Sequence, residues 1–116
     1  MNKKTSQISD ITPEGHEMAL SWTMLSPEDT TISALTNLTY SKDLSTALKA
    51  LEKHIAPSLN YTITDNQNIA LQLAGRLPIR NVNHATKGRL PSLGYIKENR
   101  WLGYKPYNTN PRFINP

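Results

Sequence analysis

The most regular hydrophobic pattern in the chain lies between two helix-boundary signals. Apolar residues recur there at spacings of three and four, which places them along one side of a helix. They are Leu44, Ala47, Leu48, Leu51 and Ile55. The polar sequence 41–43, Ser-Lys-Asp, can cap the amides at the start of this helix, and the proline at position 57 ends it. We therefore predict an amphipathic helix between these two signals.

A preceding helix is predicted by residues 26–29, Ser-Pro-Glu-Asp. The serine can cap free amides, the proline fits the first helical position, and the two acids lie at the positive end of the helix dipole. Ile32, Leu35 and Leu38 follow at three-residue spacing, which predicts a helix over about 27–39. Its threonines are poor helix formers, so tertiary packing must stabilise it.

Residues 18–25 alternate between apolar and polar side chains, which is typical of a strand. Leu20, Trp22 and Met24 share one face of that strand. A helix that starts at residues 12–14, Thr-Pro-Glu, is the alternative, although the following glycine disfavours it by about 1 kcal/mol relative to alanine.

Two further alternating segments, 59–64 and 69–74, flank the polar turn 65–68. This arrangement predicts a β-hairpin. We expect its inward face to carry Leu59, Tyr61, Ile63, Ile69, Leu71 and Leu73. Residues 77–82 could add an edge strand, because the proline at position 78 cannot donate a hydrogen bond within a central strand.

These elements predict a small single-domain α+β fold, in which two helices cover one face of an antiparallel sheet. We expect a flexible N-terminal segment over 1–12, an α+β core over 13–82 and an irregular basic and aromatic C-terminal arm over 83–116. The helix and hairpin of residues 44–74 resemble small α/β modules such as the periplasmic N-terminal domains of secretins and related secretion lipoproteins. That resemblance includes no diagnostic motif and assigns no functional residue.

Charge is distributed unevenly along the 116 residues. Residues 1–75 carry five Lys and Arg against eight Asp and Glu, a net charge of −3, whereas residues 76–116 carry eight against one, a net charge of +7. In the basic part, cations and aromatic rings are interleaved, which suits phosphates and base faces or a protein interface. The candidate binding residues are Arg76, Arg80, Lys87, Arg89, Lys97, Arg100, Trp101, Tyr104, Lys105, Tyr107 and Arg112.

No motif for phosphate binding, metal binding or nucleophilic catalysis is present in the sequence, so we expect no catalytic residue, no metal site and no cofactor. The histidines at 16, 54 and 84 lie in separate segments and are expected to be exposed or to cap helix ends. A small ribonuclease that uses His84 with Glu98, Tyr95 and neighbouring cations is the weaker alternative.

The predicted function is therefore that of a non-enzymatic accessory protein whose arm binds nucleic acid or a ribonucleoprotein. A module that binds a protein partner, as an inhibitor or as a subunit of a larger phage or secretion assembly, is the alternative. The chain has no cysteine and no apolar run long enough for a signal peptide or a membrane span, so we expect a soluble protein in the cytoplasm.

Overall fold

The structure, a computed structural model, describes residues 12–116. The segment 1–12 that was predicted to be flexible lies, except for its last residue, outside this range. The helices are α1 (Thr31–Thr39) and α2 (Leu44–Leu51), and the strands are β1 (Leu59–Thr64), β2 (Ile69–Ala74), β3 (Pro78–Arg80), β4 (Trp101–Tyr104) and β5 (Arg112–Ile114). Single turns of 3₁₀ helix cover Thr23–Leu25, Lys97–Asn99 and Tyr107–Thr109. The predicted class, a small α+β domain with antiparallel sheets, is confirmed.

Helix α2 forms over the first four residues of the predicted stripe but ends at Leu51, so the predicted continuation past Ile55 to the proline at position 57 is wrong. The amides of Glu52 and Lys53 bond three residues back, which tightens the chain into turns after the helix.

Asp43 caps the first turn of α2, because the carboxylate accepts the amide of Thr46 at 2.8 Å while the Thr46 hydroxyl accepts the amide of Asp43 at 3.3 Å. All five residues of the predicted stripe are buried. Leu44 and Leu48 pack against Ala70 of β2 and Ile63 of β1, so this helix covers the sheet.

Helix α1 begins at Thr31, four residues later than predicted. Ser26 and Asp29 instead close a turn, in which the amide of Asp29 donates to the carbonyl of Ser26 at 3.2 Å. The helix amide of Thr31 is then bound by the Asp29 carboxylate at 2.9 Å. The predicted capping role therefore belongs to the aspartate, and the Ser-Pro pair forms the turn before the helix.

The hairpin of β1 and β2 is confirmed, with antiparallel pairs from Leu59 opposite Ala74 to Thr64 opposite Ile69. The predicted inward face of β2 is wrong. Directly opposed residues share a face of the sheet, and the closing pair aligns Ile69 with the outward-facing Thr64. As a result Ala70, Gln72 and Ala74 face α2 and are buried. The two alanines allow the helix to lie close to the sheet, and α2 contributes the large side chains.

Strand β3 forms within the predicted segment, but it pairs with β4 and does not extend the hairpin. The other neighbour of β2 is β5, which gives a three-stranded sheet in the order β1-β2-β5. Gly75, with a φ of 111°, turns the chain out of the first sheet. Two strands from residues 83–116 thus pair with strands of the predicted core. The division of the chain at residue 82 stays a prediction.

The strand predicted over residues 18–25 is wrong. Thr23–Leu25 form a 3₁₀ turn, and the residues before it belong to no strand. The backbone of Trp22 is extended, with φ −139° and ψ 134°, but no described strand lies beside it. Leu20 and Trp22 are 72% and 45% exposed. Alternation alone cannot make a strand, because the backbone needs a partner.

None of the helices within residues 12–116 has the length and apolar character that crossing a bilayer requires.

Candidate functional site

The predicted binding residues separate into two aromatic groups. In the first group, Arg76 connects the acidic N-terminal half to β4. Its Nη1 lies 3.2 Å from Oε2 of Glu28, and its Cζ lies 5.3 Å from the centre of the Tyr104 ring. Trp101 meets Tyr104 edge to face, with ring centres 5.9 Å apart. The arginine is thus partly engaged within the molecule.

The second group lies against α2. The hydroxyl of Tyr107 donates to the carbonyl of Leu48 at 3.0 Å, and the Cζ atom of Arg112 lies 5.6 Å from the Tyr107 ring centre. The Nε of Arg112 donates to Oε1 of Gln72, whose side chain is fully buried. Burial raises the pKa of the Tyr107 hydroxyl, so this ring stays neutral over the ordinary pH range.

The remaining cations differ in what they contact. The ammonium of Lys87 donates to the carbonyl of Val82, and Nε of Arg100 donates to the carbonyl of Gly94 at 3.3 Å. Nε of Arg80 is buried without a hydrogen-bond partner. Three more cations are exposed at the surface: Arg89, Lys97 and Lys105. That the eleven residues act together as one contact surface stays a prediction.

His54, which was expected to be exposed or capping, is buried. Its Nε2 lies 2.6 Å from the carbonyl oxygen of Pro57, and its Nδ1 lies 3.3 Å from the hydroxyl of Tyr61. The carbonyl can only accept, so Nε2 donates to it, and Nδ1 shares a second hydrogen bond with the tyrosine hydroxyl. Both ring nitrogens are therefore used to fix the segment between α2 and β1.

His84, the residue proposed for a ribonuclease site, is also buried. Its Nδ1 accepts the amides of Thr86 at 3.2 Å and Lys87 at 3.1 Å. Because both amides donate to it, Nδ1 is the acceptor nitrogen of this ring. Across residues 12–116 no histidine ring is hydrogen-bonded to a carboxylate, the partner that would orient a general base.

Two buried polar residues that join distant segments, Thr31 and Asn110, were not among the predicted functional residues. The Thr31 hydroxyl donates to the Asp29 carboxylate at 2.6 Å and accepts the amides of Ile55 at 3.0 Å and Ala56 at 3.1 Å. The amide group of Asn110 donates to the carbonyls of Leu73 and Gly75, both at 3.2 Å. A threonine inside a helix and an asparagine before a proline carry no sequence signal for such long-range contacts.

The described residues 12–116 contain no group of three histidine or acidic side chains placed to hold a metal ion. The buried side chains of Thr31, His54, Gln72 and His84 bind backbone groups or other side chains of the fold.

Comparison with known proteins identifies the family. The sequence model of the penicillin amidase family matches residues 4–116. The acyl-homoserine lactone acylase QuiP of Pseudomonas putida is 30% identical over 88 residues, which are 72% of this chain and 10% of the relative. The chain thus spans about a tenth of the length of this curated relative.

These matches correct the predicted function. The prediction of a non-enzymatic accessory protein that binds nucleic acid is wrong, because the matched family and relative are amidases and acylases. The two alternatives, a protein-binding module and a ribonuclease, are wrong for the same reason. The resemblance of residues 44–74 to secretin domains covers less of the chain than the penicillin amidase match, which extends over nearly the whole sequence. Basic and aromatic residues occur together on many kinds of protein surface, so this segment could not distinguish one function from another. The chain belongs to the penicillin amidase family.

Proposed function

We propose that this chain is part of an acylase that hydrolyses the amide bond of N-acylated substrates. The observation that carries the proposal is the family match, which extends from residue 4 to residue 116. The relative's name supplies the substrate class to test first, the N-acyl homoserine lactones. The chain spans only a tenth of that relative, so the activity belongs to the complete acylase.

The proposed reaction consumes one water molecule. Its oxygen forms a bond with the acyl carbon, and the bond between that carbon and the amide nitrogen breaks. The oxygen and one hydrogen of the water remain on the acyl group, which is released as a carboxylic acid, and the other hydrogen passes to the nitrogen, which leaves as the amine of homoserine lactone. The lactone ring remains closed, which distinguishes this reaction from hydrolysis of the ring ester.

Within this reaction we assign the described segment a supporting role. Thr31, His54 and His84 each bind backbone groups with the atoms that a catalytic residue would need free. Buried hydrogen bonds to the backbone of this kind hold a fold rigid, and rigid elements position active-site groups best. The reacting groups are then supplied by other parts of the acylase.

The activity can be tested with the native protein, purified at the length at which the cell makes it. We expect N-acyl homoserine lactones to yield a fatty acid and homoserine lactone in equal amounts, measured by mass spectrometry. Appearance of the ring-opened product alone, with the amide intact, would show a lactonase. No cleavage of N-acyl homoserine lactones or of penicillin amides would refute the proposal.

The supporting role makes a separate prediction for the same assay. Thr31→Val should lower activity only as far as it lowers the folded fraction, with KM unchanged, and Thr31→Ser should retain both. A loss of kcat in a fully folded Thr31→Val protein would assign this residue to the chemistry instead. The cytoplasmic location expected from the sequence stays a prediction, which cell fractionation would test.

A further inference from the structure

Within residues 12–116, a helix covers the three-stranded sheet on one face only. Helix α2 lies on the face that carries Ala70 and Gln72. The opposite face of β2 and β5 presents a set of apolar side chains that we call the open face: Ile69, Leu71, Leu73 and Phe113. Leu71 and Phe113 are directly opposed across the two strands and remain 40% and 54% exposed.

This face differs from the solvent side of an ordinary antiparallel sheet, which is polar. Strand β1 follows that rule, because its side chains on this face are Asn60, Thr62 and Thr64. The apolar stripe begins on the next strand and continues onto β5. The pattern therefore marks the β2–β5 half of the sheet as the part that is built to be covered.

The edge of the sheet beside this stripe is also open. The amide of Leu73 donates to the carbonyl of Pro111, and the amide of Asn115 donates to the carbonyl of Ile69. In an antiparallel pair only every second residue of a strand directs its amide and carbonyl toward the partner strand. Since positions 111 and 115 bond to β2, the amides and carbonyls of Arg112 and Ile114 point away from it. Within the part of the chain that the structure describes, no strand pairs with this edge.

We infer that the open face is the surface on which further polypeptide of the same acylase packs, as a second layer over β2 and β5. The inference rests on the proposed function. The curated relative is about ten times as long as the matched segment, so its family supplies ample chain for such a layer. The open face carries no charge, and an apolar layer is the occupant that suits it.

A second copy of this chain suits the face less well. Large apolar side chains that belong to no strand are also exposed, including Leu20 at 72% and Trp22 at 45%. Because the interface of a twofold dimer is a single self-complementary patch, it would leave separate surfaces of this kind in water. One longer polypeptide can cover several such surfaces at once.

The sequence contains no cysteine, so single thiols can report on the open face. Leu71→Cys and Phe113→Cys place a thiol on the stripe, and Ser33→Cys places an isosteric control on the exposed side of α1. In the native protein at the length at which the cell makes it, we expect maleimide to label positions 71 and 113 at least ~10-fold more slowly than position 33. In urea all three should react alike, with labelling read at the peptide that carries each thiol.

Equal rates at positions 71 and 33 in a folded protein would overturn the inference. Protection that disappears on dilution, together with a dimer in size-exclusion chromatography, would assign the face to a second copy and would also overturn it. Circular dichroism shows whether each thiol variant folds. If one of the two does not fold, the other still tests the inference. Labelling does not depend on hydrolysis, so protected thiols in a protein without acylase activity would refute the proposed function alone.

Discussion

The carboxylate of Asp65, in the turn of the hairpin, accepts the backbone amide of Leu44 at the start of α2, with Oδ2 3.1 Å from the nitrogen. Its other oxygen accepts the amides of Gln67 at 2.9 Å and Asn68 at 2.7 Å. One side chain therefore shapes the turn and binds an orphan amide of a helix that precedes it by 21 residues in sequence. It connects the first turn of α2 to the turn between β1 and β2.

These hydrogen bonds make stability depend on the charge of Asp65. The backbone amides of Gln67, Leu44 and Asn68 lower the pKa of Asp65 below its ordinary value. A carboxyl group with a lower pKa in the folded state stabilises the fold above its unfolded pKa of about 4, and that contribution is lost as the pH falls through the folded value. We expect the difference in melting temperature between the wild type and Asp65→Asn to be largest above pH 5 and to shrink below pH ~3. A difference independent of pH would contradict this account.

The hydroxyl of Thr31 should be worth more than its methyl group. Thr31→Val keeps the shape but leaves the buried amides of Ile55 and Ala56 without their acceptor, which costs about 2–4 kcal/mol in the free energy of unfolding. Thr31→Ser retains the oxygen and should cost much less. Urea denaturation of the two variants measures the contrast, and equal losses would show that the methyl group matters instead.

Gly75 should be sensitive to the smallest substitution. Its φ is +111°, and a Cβ atom there would lie 2.7 Å from Cα of Ser58. Gly75→Ala should therefore destabilise the protein by about 1–3 kcal/mol. Gly94→Ala is the control, because nothing lies within 4 Å of its Cβ position and its φ lies outside the left-handed region. Similar melting temperatures for the two variants would refute the steric argument.

Gln72 allows the packing and hydrogen-bonding contributions of a buried polar side chain to be separated. Gln72→Ala removes both the side-chain volume and the acceptor of Arg112, and should cost about 2–4 kcal/mol in unfolding free energy. Gln72→Leu restores most of the volume, and Arg112 can turn to solvent, so its cost should be less than half as large. Calorimetric melting of both variants measures this, and a larger loss for leucine would show that the hydrogen bond dominates.

Local patterns predicted the secondary structure well where the backbone hydrogen bonds are made within one element or with a segment close in sequence. Helix α2 follows from its apolar stripe, and the hairpin from two alternating segments around a polar turn. The same patterns were misleading where a distant partner was needed. Residues 18–25 alternate like a strand, but the described part of the chain places no strand beside them.

The candidate site was predicted from residue types, and residue types did not reveal the role of the protein. The interleaved cations and rings suggested nucleic-acid binding, whereas the family match identifies an amidase family. In the structure Arg76 lies over the Tyr104 ring and Arg112 donates to Gln72 of β2, so part of this charge is used to attach the C-terminal strands to the core. Nothing in the local sequence distinguishes an arginine that contacts its own fold from one that awaits a ligand.

The α+β class, the helix over the sheet and the hairpin could be read from the amino-acid sequence, because those features depend on periodicity and turn chemistry within a few residues. Only the folded structure shows which face of β2 is buried, that β5 pairs with β2, and that Thr31 and Asp65 join distant segments. Such choices depend on cross-strand register and on hydrogen bonds over more than 20 residues, which no local pattern encodes.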